Sequence, residues 1–327
     1  MHLIQRRVVA TAAGILAASC LVWANAFAQN YPAKPVKILV GYGPGGATDV
    51  TARVVAQKLA ENMRQSVIVE NRPGATGAIA IQALIAAPAD GYTLLMISAS
   101  EAALPALRAS LPFDFERDLA AVSLVTSSPY VLVVHPSVPA KNVKELLAIA
   151  RSKPGRLNNG SAGVGSLGHL FGELINAMAN VKIVHVPYKG AADAATAAAG
   201  GQIEMSFPSV TGALPLLQAG KLRDIAVTSG KRTSLMPSVA TIDESGLPGY
   251  DRSGWYGLLA PVRVPKEIIA QMNAEIIKAV QSPEVKNSLV KQGLEPQTSR
   301  PDEFMEFIRT EIAQNVKLAK LAGVKPE

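Results

Sequence analysis

The chain has one cysteine among its 327 residues, and this residue, Cys20, lies in an N-terminal apolar segment. If that segment is removed, no disulfide, thiolate metal site or thiol nucleophile remains. Aromatic residues make up only 5% of the chain, and its lysines and arginines form no block. A formal net charge of +7 distributed in this way argues against nucleic acid as a partner.

The N-terminal segment contains the only long apolar run. Two arginines precede apolar residues 8–23, and the small-x-small pattern A-F-A follows at 26–28. This order predicts a cleavable secretory signal peptide over residues 1–28, with Gln29 as the start of the mature chain. The alternatives are an uncleaved membrane anchor, for which the run is short, and lipidation at Cys20.

Strand-like and helix-like patterns alternate along the rest of the chain, which predicts an α/β fold with mostly parallel sheets. Two glycine-rich loops, at residues 41–46 and 158–168, each lead into a helical pattern. This duplication indicates two similar lobes, with chain crossings near residues 127–129 and 250–253. The first lobe is then 29–128 plus 252–327, and the second lobe is 129–251.

The first glycine loop follows the apolar strand Val36–Val40 and precedes a helical pattern. It nearly matches a P-loop, but Ala47-Thr48 stands in place of Lys-Ser/Thr, so the lysine that meets the phosphates is absent. What remains is a nest of N–H groups at a helix N-terminus, suited to a smaller, less charged anion. A tight turn without a ligand is the alternative. Asp49 either accepts from a ligand donor or bridging water, or complements the helix dipole.

The second glycine loop contains G-x-G-x-x-G at residues 163–168. A dinucleotide site would need a strong strand before this motif and an acidic residue about 20 positions after it. The chain has a polar segment before the motif and no acid at 186–189. We therefore expect a second N–H cradle, supplemented by the hydroxyls of Ser161 and Ser166. His169, in the next helical turn, is either close to the ligand or structural.

A secreted serine hydrolase is the rival interpretation, because Ser166, His169 and Glu173 share one helix face. Residues placed in this way rarely reach nucleophile–base–orienter geometry, and no G-x-S-x-G elbow occurs in the chain. His135 and His185 form no metal-ligand pattern with His169. We expect a binding protein rather than an enzyme, with no cofactor and no metal.

Seven dispersed motifs carry a family resemblance: YPAKP at 31–35, GGATD at 45–49, VENRPGA at 69–75, DGYTLL at 90–95, GSAG at 160–163 with GS at 165–166 and HL at 169–170, VHVPYKG at 184–190, and GKLR at 220–223. Together they resemble the Bug family of periplasmic solute-binding proteins, the receptors of tripartite tricarboxylate transporters. The motifs follow one another over the whole mature chain, but they do not specify a ligand.

The resemblance implies a two-lobed type II periplasmic binding protein, or Venus flytrap, that closes on a small carboxylate. In the family, the two glycine loops hold the carboxylate through main-chain groups and ordered waters, and strand ends matching 98–100 and 207–209 line the rest. The resemblance also implies a periplasmic monomer that serves membrane transporter subunits or, alternatively, a membrane sensor. The implied ligand contacts are Tyr42, Gly43, Gly45, Gly46, Ala47, Thr48, Asp49, Ser98, Ala99, Ser161, Ala162, Gly163, Gly165, Ser166, His169, Phe207 and Ser209.

Two departures from the family pattern face the expected cleft. Y-G-P stands at 42–44, where the family often has Phe-Pro or Pro-Ala, and Pro208-Ser209 stands where it often has Asp-Asn. The second departure removes a carboxylate that could pair with a ligand amino or hydroxyl group. An amino-acid ligand is therefore less strongly implied.

Overall fold

The computed structural model describes residues 31–321, 323, 324 and 326. The predicted signal peptide, Cys20 and Gln29 lie outside these residues. The strands, in chain order, are β1 (Val36–Val40), β2 (Val67–Asn71), β3 (Thr93–Ser98), β4 (Leu119–Ser128), β5 (Val131–Val134), β6 (Asn158–Ser161), β7 (Val184–Pro187), β8 (Met205–Ser206), β9 (Arg223–Val227), β10 (Gly254–Pro261) and β11 (Glu295–Pro296).

Helices cover the strands on both sides. Among the described residues, none of these helices combines the length and apolar character needed to cross a bilayer. A 3-10 turn, Ala75–Gly77, precedes the second helix. The helices are α1 (Ala47–Met63), α2 (Ala78–Ile85), α3 (Ala99–Ala102), α4 (Leu104–Leu107), α5 (Phe115–Asp118), α6 (Val143–Ser152), α7 (Leu167–Ala179), α8 (Ala191–Ala199), α9 (Val210–Gln218), α10 (Lys266–Gln281), α11 (Pro283–Lys291) and α12 (Pro301–Leu321).

The first sheet has six strands in the order β11-β4-β10-β3-β1-β2. β1 pairs in parallel with β2 and β3. Alternate residues of a strand point to opposite faces: Ile38 and Val40 pack with α1 and α10, while Leu39 packs with α2 and α12. The sheet is therefore buried on both faces, and the C-terminal ends of β1 and β3 share one edge.

The second sheet has five strands in the order β7-β6-β8-β5-β9. β6 pairs in parallel with β7 and β8. Leu132 and Val134 of β5 pack with α6 and α7, whereas Val131 and Val133 pack with α8 and α9. This sheet repeats the construction of the first, as the two similar glycine loops predict.

The prediction of mostly parallel sheets is only partly right. β10 runs antiparallel to β3 and β4, β11 runs antiparallel to β4, and β5 runs antiparallel to β8 and β9. β5 and β10 are the strands that follow the two passages of the chain between sheets, and each enters its new sheet from the opposite direction. An apolar strand that is buried on both faces has no alternation to mark its direction.

The two passages between sheets lie side by side, because β4 and β10 pair Ser128 with Gly254. Arg252, which is 3% exposed, holds the return passage by pairing with Glu311 of α12 at 2.7 Å. The Trp255 indole N–H donates to the same carboxylate at 3.1 Å. The passages form a two-strand connection between the sheets, and the lobe boundaries at 128/129 and 251/252 stay predictions.

Candidate functional site

The first glycine loop follows the C-terminal end of β1 and is exposed over most of its length. The Asp49 side chain packs against the buried side of this loop. The Asp49 carboxylate accepts hydrogen bonds from the Gly45 N–H at 2.9 Å, the Arg53 guanidinium at 2.9 Å and the Asn71 amide at 2.8 Å. Both carboxylate oxygens are thus engaged within the protein.

The surroundings of Asp49 keep it ionised. Burial alone raises its pKa, but the hydrogen bonds from Arg53, Gly45 and Asn71 outweigh burial and bring the pKa down to about 2. Asp49 is 2% exposed. It positions the loop, and as a first-turn acid it also complements the α1 dipole; its contact with a ligand donor or a bridging water stays a prediction.

Of the strand end at residues 98–100, which the resemblance places at the ligand, Ser100 is the residue that lines a cavity. Ser98 and Ala99 are 7% and 1% exposed. Ser98 caps α3 in a capping box with Glu101, which accepts the Ser98 N–H at 3.0 Å and the Tyr42 hydroxyl at 3.2 Å. Ser98 and Ala99 therefore support the wall of the cleft, and Ser100 is the residue that lines it.

Glu101 is a fully buried carboxyl group beside the first loop, and one of its oxygens has no hydrogen-bond partner among the described residues. Burial raises its pKa to about 7, while hydrogen bonds from Ser98 and Tyr42 limit the rise. Sequence reasoning missed this group because a glutamate three positions after a serine is typical of an ordinary helix cap.

The second glycine loop follows β6 and is braced by hydroxyl groups. Ser161 Oγ lies 2.6 Å from His185 Nε2 and accepts the Gly163 N–H at 3.2 Å. Ser166 Oγ donates to the Gly163 carbonyl at 2.7 Å and lies 3.0 Å from Ser161 Oγ. The two serines predicted for this loop are thus adjacent, and His185 joins them.

The His169 ring is engaged within the second loop and against His185. Its Nδ1 accepts the Gly165 N–H at 3.0 Å, and its ring stacks on His185 with 3.8 Å between centroids. Burial, supplemented by His185, lowers the pKa of His169 to about 4, so the ring is neutral at pH 7. Gly165 has a φ of +79°, and an added Cβ would lie 2.7 Å from Leu107 of α4. The loop therefore requires glycine here and touches the first lobe.

The residue pair behind the hydrolase interpretation is not assembled. Ser166 donates within the loop, and His169 uses Nδ1 to accept the Gly165 N–H. Ser161 does contact His185, but among the described residues no acidic side chain accepts a hydrogen bond from the other ring nitrogen of His185. In the described part of the chain, no three potential metal-ligating side chains lie together.

A cavity of about 190 Å³ lies at the C-terminal edge of the second sheet. The first turns of α7 and α8 border it, and neither helix has a side-chain cap. Free N–H groups and the positive ends of two helix dipoles therefore meet at one cavity. Its lining, all uncharged, consists of Ser100, Tyr130, Gly160, Ser161, Ala162, Ser166, Leu167, Gly168, Ala191, Ala194, Ser206 and Phe207.

Several predicted contacts do not line this cavity. The Ser209 hydroxyl instead accepts the Gly212 N–H and caps α9. Gly163, Gly165 and His169 shape the second loop, and the first loop lies outside the lining. The predicted contacts that do line the cavity are Ser161, Ala162, Ser166 and Phe207.

The strand order explains the lining residues that sequence reasoning missed. β8 lies beside β6, and α8 follows β7 on the other side, so their C-terminal ends and first turns meet at one edge. The pairing of β8 with β6 is the signal that would have identified Ser206. The missed residues are Tyr130, Ala191, Ala194 and Ser206.

A larger groove of about 1160 Å³ lies on the hinge side, between α7 and α12. Its wall contains Arg252, Trp255 and Glu311, whose polar groups are paired with one another. None of the predicted contacts lies in it. We place the candidate site at the smaller cavity, which the first turns of α7 and α8 border and where the Ser206 hydroxyl has no partner among the described residues.

Two α/β lobes joined by a two-strand hinge, with helix N-termini at the cleft, define a periplasmic solute-binding protein. A family model described as "Tripartite tricarboxylate transporter family receptor" matches residues 51–324. The chain belongs to this receptor family, which confirms the resemblance to Bug proteins.

Individual relatives agree with this assignment. The chain is 34% identical to Protein BugT of Bordetella pertussis over 314 residues, which cover 95% of this chain and 96% of BugT. "R. palustris Rpa4515 with adipate" is 34% identical with a TM-score of 0.74, over 91% of this chain and 100% of that one. MatC from Rhodopseudomonas palustris with bound malate is 28% identical with a TM-score of 0.68, over 88% and 100%.

Proposed function

We propose that this chain is a periplasmic receptor that captures a small organic carboxylate between its two lobes. The observation that carries the proposal is the meeting of two uncapped helix N-termini, those of α7 and α8, at a cavity that four serines line. Helix N-termini and hydroxyls are favourable partners for a carboxylate. The relatives described with adipate and malate support the same ligand class.

Backbone and hydroxyl donors are sufficient to hold such an anion. A charge-assisted hydrogen bond contributes about 1.5–3 kcal/mol, so three or four of them offset the cost of desolvation without an arginine. The lining also contains no acidic side chain that would repel the ligand. Ordered waters complete the contacts of the bound carboxylate in this proposal.

The first glycine loop forms the opposing side of the clamp. Its helix, α1, begins after Gly46 without a side-chain cap. Ser100, from the same lobe, already lines the cavity, and Tyr42 is tied to that strand end through Glu101. Closure about the hinge brings the loop's N–H groups to the ligand, which stabilises the closed state by contacts that the open state lacks.

The family and the N-terminal segment support the location, the partner and the non-enzymatic role that we propose for this chain. The signal peptide over residues 1–28 directs the mature chain to the periplasm, where it acts as a monomer. It delivers its ligand to the membrane subunits of a tripartite tricarboxylate transporter. It is not an enzyme and needs no cofactor, because capture and release involve no chemical step.

Calorimetric titration of the purified mature chain tests this function. The panel contains adipate, malate, citrate, benzoate and glutamate, with glucose and choline as a neutral and a cationic control. We expect saturable binding of at least one anion and none of either control. Binding of glucose or choline without binding of any anion would contradict the proposal.

A further inference from the structure

Ser206, at the C-terminal end of β8, is a buried hydroxyl that lines the cavity. Its side chain is 1% exposed, and its Oγ has no hydrogen-bond partner among the described residues. A buried polar atom without a partner is unfavourable, because it has lost its hydrogen bonds to water, and native proteins keep few of them. An unpartnered hydroxyl on the wall of a binding cavity therefore indicates that a bound molecule completes it.

The position of Ser206 is set by the sheet. β8 lies between β6 and β5, and Ser206 pairs in register with Gly160 on one side and Val133 on the other. Gly160 also lines the cavity, and it immediately precedes Ser161 of the second loop. Ser206 therefore lies one strand away from the serines that brace the carboxylate cradle.

The rest of the wall determines what kind of group can meet Ser206. It is apolar or neutral, with Ala162, Leu167, Ala194 and Phe207 among its members. A ligand ammonium would be buried there without a counter-ion, which is far more costly than burying a neutral group. A serine hydroxyl both donates and accepts, so a ligand hydroxyl or carbonyl oxygen fits equally well.

We propose that Ser206 determines specificity within the carboxylate class, by selecting acids that carry a hydroxyl or oxo group on a short carbon chain. The inference rests on the proposed function, since it requires the carboxylate to lie at the N-termini of α7 and α8. The unsubstituted acid would leave the Ser206 hydroxyl unpaired and would bind more weakly.

Matched acid pairs that differ by one hydroxyl test this proposal: propionate and lactate, butyrate and 3-hydroxybutyrate, succinate and malate. Calorimetry on the wild type should give a preference of about tenfold or more for the hydroxylated member of at least one pair. In Ser206→Ala, that preference should fall to within about twofold, because only the hydroxylated acid loses a hydrogen bond.

Two further variants make the result specific. Ser161→Ala, in the cradle, should weaken both members of a pair by the same factor and keep the preference. Ser206→Cys keeps the side-chain shape with a somewhat larger γ atom but offers only a weak donor, so it should lose the preference as Ser206→Ala does. Thermal unfolding of each variant checks that it is folded.

The outcomes separate this inference from the function on which it rests. If the wild type binds acids but shows no preference within any pair, or if Ser206→Ala weakens both members equally, the role of Ser206 is wrong and the receptor function stands. If the wild type binds no acid, both are wrong.

Discussion

Ala191→Trp should abolish carboxylate binding while leaving the fold intact. Ala191 is exposed, begins α8 and lines the cavity. An indole at this position occupies much of a space of about 190 Å³ in which the ligand must bury most of its surface. We expect affinity to fall about 100-fold or more, equivalent to roughly 3 kcal/mol, in a calorimetric titration with the best acid of the panel.

The neighbouring position supplies a matched control. Ala192 is also exposed and lies in the same first turn of α8, but it does not line the cavity. Ala192→Trp should bind like the wild type, and both variants should unfold at a temperature close to that of the wild type. Equal binding by the two variants, whether retained or lost, would contradict the placement of the site.

Glu101→Gln should change how stability depends on pH. The folded state raises the pKa of Glu101 to about 7 from its ordinary 4.5, chiefly by burial. The stabilisation of its neutral form is fully present below pH 4.5 and is lost as the pH rises through 7. The shift corresponds to about 3 kcal/mol. The free energy of unfolding of Glu101→Gln, relative to that of the wild type, should therefore rise by up to this amount between pH 4.5 and pH 8. Urea unfolding at a series of pH values measures it.

The quantity to compare is the difference in free energy of unfolding between Glu101→Gln and the wild type at each pH. Burial lowers the pKa of His169 and of His185, so these rings add stability as the pH rises, opposite in sign to Glu101. Their contribution is common to both proteins and cancels in the difference. A flat difference for Glu101→Gln would show that Glu101 has its ordinary pKa in the folded state.

Local sequence patterns predicted the strands, loops and helices that the spacing of apolar residues and glycines determines. The strand Val36–Val40, its glycine loop and α1 occur where the apolar pattern changes from continuous to helical. The direction of β5 and β10 was not predictable in this way, because it depends on how the chain passes between sheets. Leu119–Ser128 of β4 was missed as a strand, since its small buried residues show neither strict alternation nor a helical period.

The candidate site was predictable to the same extent. Ser161 and Ser166 were identified because the second loop precedes a helix, and they line the cavity. Ser206 and Ala191 were missed, because only the order β7-β6-β8 brings them to the same edge. Asp49 was identified as a site residue, but its contacts with Arg53 and Asn71 were not readable from the sequence. These side chains decide whether it faces the ligand or supports the loop.

The most direct test of the account is a crystal structure of the mature chain with the acid that binds best. We expect the carboxylate to lie in the smaller cavity, within hydrogen-bond distance of N–H groups in the first turns of α7 or α8 and of the Ser161 or Ser166 hydroxyl. An acid bound in the hinge-side groove beside Arg252, with the smaller cavity free of it, would contradict the account.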